Sequence, residues 1–91
     1  MSPRPVPVPA VAPSSLFTYK DGVLSAEASD LTLGGHLDSR AEREGFWVRS
    51  ERTGEQRFFV PAGVERDREG DVVAWHFKCW SPLLKLVIFN D

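Results

Sequence analysis

The sequence predicts a mainly all-β domain, a small antiparallel sheet, barrel or sandwich of five to six strands, with at most one short helical segment between residues 37 and 44. Three observations carry that expectation. Glycine-containing turn pairs, Asp21-Gly22 and Thr53-Gly54, separate short apolar runs, the spacing of hairpins. In "VVAWHFKCW", Val73, Trp75, Phe77 and Cys79 alternate with His76 and Lys78, the period of a strand with one buried and one wet face. Only 91 residues are present, enough for one domain with a thin stability margin.

Residues 1–14 form a proline-rich arm, and 15–91 the β domain. Pro3, Pro5, Pro7, Pro9 and Pro13 stiffen the arm toward extended geometry, and no two of them lie three apart as an SH3-type ligand requires. A tether is therefore expected, or an edge strand, the place in a sheet that tolerates proline. "LFTYK" and "VLSAEA" flank Asp21-Gly22, whose residues readily take the positive φ angles of a type I′ turn. Gly34-Gly35 breaks the chain after "SDLTL", and "HLDSRAERE" supplies one or two helical turns that Gly45 ends.

"FWVRSER" and "EQRFFV" make the second hairpin. With Thr53-Gly54 as a two-residue loop, Arg52 faces Glu55, Ser50 faces Arg57, Val48 faces Phe59 and Trp47 faces Val60. Phe46, Val48 and Phe59 then share one face, and Trp47, Phe58 and Val60 the other, so the root is packed between two layers while the tip is polar. A third hairpin turns at Glu69-Gly70-Asp71, and Ser81-Pro82 interrupts the chain before "LLKLVIF". There Leu84, Leu86 and Ile88 share one face, and Lys85, Val87 and Phe89 the other. A strand apolar on both sides is central in its sheet or covered by a partner.

Charge and composition exclude several functions. A net charge of -2 gives no general attraction to phosphate, so any nucleic-acid binding must be local. One cysteine, Cys79, permits no internal disulfide and fits a reducing, cytoplasmic setting. Prolines interrupt the N-terminal apolar residues, which argues against a signal peptide, and no apolar run approaches the ~20 residues of a membrane span. His76 and Cys79 fall on opposite faces of a strand, and the acids around Glu65–Asp71 lack the spacing of a calcium loop, so neither metal nor cofactor is expected. His36, Asp38 and Ser39 are close in sequence, but catalytic triads draw their members from separate elements, and no nucleotide or nucleophile motif occurs. No enzymatic activity is expected.

What remains is recognition. The primary expectation is a protein-interaction or assembly module, self-associating through Lys85, Val87 and Phe89 of the last strand or through an exposed tryptophan. The alternative is an OB-like or SH3-like domain that binds single-stranded nucleic acid with Trp47, Arg49, Arg52, Arg57 and Phe58 of the hairpin over 46–60. Five arginines between Arg40 and Arg57 are offset by four glutamates, which leaves a local surplus of one. That balance favours the interaction module.

Overall fold

The computed structural model describes residues 10–80 and 82–90. Its strands form one curled sheet in the order β1-β4-β5-β6-β7-β3-β2. They are β1 (Val11–Pro13), β2 (Thr18–Lys20), β3 (Val23–Glu27), β4 (Phe46–Arg49), β5 (Gln56–Arg66), β6 (Val72–Trp80) and β7 (Leu83–Phe89), with α1 (Ala28–Leu33) and α2 (Ser39–Glu44) between β3 and β4. The mainly β character agrees with the sequence expectation. Its details differ: the described residues form seven strands and two short α-helices, and the sheet is mixed, because β1 runs parallel to β4 and β3 parallel to β7.

The seventh strand comes from the proline-rich arm. Residues 1–9, where a tether was expected, lie outside the described residues. From Ala10 the chain is docked: Trp47 donates its N–H to the Ala10 carbonyl, and Ala12, opposite Val48, has no exposed surface. Pro13 ends this strand at the margin of the sheet, where its missing N–H costs no ladder bond. Ser14 and Ser15, in the 3-10 turn that follows, then meet the tip of the second hairpin. The Glu51 N–H donates to Ser14 Oγ at 3.3 Å, and Ser15 Oγ donates to Glu51 at 2.9 Å.

The Asp21-Gly22 turn forms as expected, with φ of 54° and 79° and Lys20 paired with Val23. The second hairpin does not follow the two-residue register. Phe46 faces Phe59, Trp47 faces Phe58, and Arg49 faces Gln56. The Ser50 N–H donates to the Glu55 carbonyl, and Gly54 N–H returns to Ser50, so the loop is longer and Arg52 sits in it instead of opposite Glu55. A slip of two positions leaves every side chain on its original face.

The crossover from β3 to β4 spans the sheet, because these strands sit near opposite margins. α1 and α2 lie along that path and bury Ala28, Leu31, Leu37 and Ala41 in the core. "ASDLTL" thus becomes a second helix that its shortness concealed; six residues are marginal alone and hold only by docking. Asp38 starts α2 by accepting the Ala41 N–H on Oδ1 at 2.8 Å. Asp38→Ala should lower the unfolding free energy by about 1 kcal/mol in a urea titration, whereas Asp38→Asn, which keeps an acceptor oxygen at the cap, should retain most of the stability.

Opposite these helices the sheet supplies Phe46, Val48, Phe59, Phe77, Cys79, Leu86 and Ile88. Phe46 is the hub, stacked on Phe17 at 6.4 Å between centroids and edge-on to Phe77 at 5.0 Å. β7 lies between β6 and β3, so its backbone is paired along both sides, while its Lys85, Val87 and Phe89 face is left open, with Phe89 49% exposed.

Candidate ligand-binding face

Both helices lie on one side of the sheet. The other side has no covering layer among the described residues. The hairpin root, expected between two layers, has one: Phe46 and Phe59 are buried, whereas Trp47 and Phe58 are half-buried and pack on each other at 5.2 Å.

Strand register assembles the uncovered face into rows. Trp47 lies opposite Phe58, and Trp80 opposite Leu83. Val60 pairs with Lys78, and extending that register brings Phe58 toward Trp80; the two rings line one shallow depression of about 360 Å³. The result is an aromatic row, Trp47, Phe58 and Trp80, laid across three adjacent strands. Trp80 is 64% exposed and Leu83 52%.

One step down is a row of lysines. Lys78 pairs with Lys85, Lys85 with Val23, and Val23 with Lys20. Below it, His76, Val87 and Ser25 form a third row, and Phe89 lies between Ala74 and Glu27 in a fourth. A second depression, about 430 Å³, is lined by Val23, Ala62, His76, Phe77, Lys78, Lys85 and Val87. The Lys78 ammonium sits 4.4 Å from the centroid of the Trp80 ring, a cation–π contact joining the two rows.

Charge is distributed unevenly over this face. Lys20, Arg49, Lys78 and Lys85 occupy the half that holds the rings, since Arg49 is two residues from Trp47 on the same strand, and the carboxylate that borders the ring depression, Glu55, is paired with Arg57 at 3.0 Å. Glu27 and Glu65 lie at the other end, beyond His76 and Val87. No carboxylate comes within ion-pair distance of Lys78 or Lys85 among the described residues. A chain of net charge -2 thus presents a locally cationic surface.

The residues singled out from sequence divide between places. Trp47, Arg49 and Phe58 stand on the uncovered face, together with Lys85, Val87 and Phe89, which were assigned to a separate interface. Arg57 faces the helix side beside Val48 and pairs with Glu55 at 3.0 Å, and Arg52 belongs to the exposed loop. Trp80 and Lys78 were not singled out. Their signal was the alternation of β6, which sets them with His76 on the face opposite Phe77 and Cys79.

Other polar clusters have local structural roles. Asp67 accepts the N–H groups of Glu69 and Asp71 on Oδ1, at 2.9 and 3.0 Å, and so organises the turn in which Gly70 takes a φ of 89°. Asp38 caps α2, and the His36 ring lies over Gly34, where an added methyl would collide with it. No helix among the described residues is long and apolar enough to cross a membrane. Comparison with protein-family models, with curated proteins and with solved structures finds no match to this chain.

Proposed function

We propose that this chain is a non-catalytic binding module that holds single-stranded nucleic acid on the uncovered face of its sheet. One observation supports the reading above others: the aromatic row, with Trp80 exposed and Trp47 and Phe58 half-buried, opens on the uncovered face beside lysines that, among the described residues, lack acidic partners. Rings offer flat apolar surface on which any base can stack, and lysines track the phosphates. The modest number of cations fits weak, salt-sensitive binding better than tight duplex recognition.

A protein partner is the second reading, favoured by the exposed Trp80, Leu83 and Phe89. A second copy of the chain is the least suited such partner. Two of these faces packed together would bring four or more lysines into one desolvated layer, and like charges across an interface oppose association.

Titration of a labelled oligothymidylate at low salt, read by fluorescence anisotropy, separates these readings. Binding is expected to weaken with salt at a logarithmic slope of about -2, the value for roughly three phosphate contacts to a single strand. Absence of salt-dependent binding, with a light-scattering mass that grows with protein concentration, would replace the proposal with self-association.

A further inference from the structure

Resting on that reading, we infer that the bound strand crosses the sheet perpendicular to the β-strands, with its bases on Trp47, Phe58 and Trp80 and its phosphates on Lys78 and Lys85. The binding surface therefore extends beyond the arginine-bearing hairpin. Trp80, Lys78 and Lys85, from the last two strands, carry as much of it as Trp47 and Phe58.

Four features lead to this path. Lys78 and Lys85 are direct cross-strand partners, and like charges so placed repel; a phosphate between them turns the repulsion into two attractions. The lysine and ring rows are two residues apart along β6, about 7 Å at ~3.4 Å per residue, which suits the reach from a backbone phosphate to the stacking face of its base. The two depressions follow the same division, one lined by Phe58 and Trp80 and the other by Lys78 and Lys85. The fourth feature is exclusion. A strand laid along β5 would run from Phe58 past Val60 to Glu65, and one along β7 and β3 would end at Glu27, so either meets a carboxylate. Among the described residues, a path across the sheet meets no carboxylate on the lysine row, and on the ring row it meets Glu55, which is already paired with Arg57 at 3.0 Å.

Two sheet spacings separate Trp47 from Trp80, about 10 Å. So short a row implies a footprint of about four nucleotides, at the small end for single-domain β modules.

The test is a length series of oligothymidylates with three variants. Affinity should rise to about four nucleotides and then level off. Trp80→Ala should weaken binding roughly tenfold with an unchanged salt slope. Lys85→Gln should weaken it a few-fold and reduce the slope by about 0.7. Glu65→Gln should leave both within twofold. Trp80 and Lys85 are exposed, so an unchanged melting temperature verifies that these variants fold. If Trp47→Ala abolishes binding while Trp80→Ala and Lys85→Gln are silent, the strand follows the hairpin and the crossing path is wrong, although the proposed function stands. Polyphosphate binding as tightly as oligothymidylate would overturn base stacking. Failure of every oligonucleotide to bind would remove the function itself.

Discussion

Phe46→Ala is expected to lower the unfolding free energy by about 3–5 kcal/mol, the cost of emptying a large buried aromatic site. Phe46 is 1% exposed and touches two other core rings, so its removal leaves a cavity bounded by Phe17 and Phe77 that cannot collapse without moving two strands. A domain this small has a total stability near the bottom of the usual ~5–15 kcal/mol range. Near-UV circular dichroism should therefore show much of the variant unfolded at about 37 °C. Trp80→Ala, in the same assay, should change stability by no more than about 0.5 kcal/mol, because most of that ring is already in water.

Gly45→Ala is the second large effect, for a different reason. Gly45 closes α2 with φ 96° and ψ -179°, a conformation open essentially to glycine alone. A Cβ there would stand 2.2 Å from the Phe59 carbonyl oxygen and 3.1 Å from the Phe58 ring. Backbone strain and overlap together should cost about 3–4 kcal/mol. The overlap is with backbone of the strand that carries Phe58 and Phe59, so relief requires β4 and β5 to separate. A urea midpoint as low as that of Phe46→Ala is the expected readout, whereas Gly22→Ala, with open space around its Cβ, should lose only about 1 kcal/mol.

These two positions also mark how far the sequence could be read. Alternation is local, and it assigned the faces of β4, of β5 as far as Val60, and of β6 and β7 correctly even where the second hairpin's register was displaced. A two-residue slip preserves side-chain direction, whereas the loop that causes it depends on Ser50 bonding to Glu55 and Gly54, which no residue type dictates. Asp21-Gly22 was legible because its turn needs positive φ at both positions. α1 was not, since six residues of mixed propensity become helical only against the sheet. β1 was legible only as the edge-strand alternative for the arm, because its parallel pairing with β4 rests on a non-local ladder.

The candidate site depended on what no local pattern contains: strand order and the choice of covered face. Trp47 and Phe58 share a face by alternation alone, but their placement beside Trp80 and the lysines follows from β5 lying next to β6, and β6 next to β7. Once both helices lie on the Phe46 side, the half-apolar side of β7 becomes surface. Its Lys85, Val87 and Phe89 then join the hairpin's rings instead of forming a second interface.

Three tryptophans give an internal control for that arrangement. Trp47 and Trp80 stand on the uncovered face, whereas Trp75, opposite Ile88, packs against the core on the helix side. Their indole N–H signals in a ¹H–¹⁵N spectrum, followed while a four-nucleotide oligothymidylate is added, test the central claim most directly. The signals of Trp47 and Trp80 should shift together along one binding curve while that of Trp75 stays in place. A titration that moves Trp75 and leaves the other two unchanged would mean that the ligand enters on the helix side, contrary to the face assigned to it.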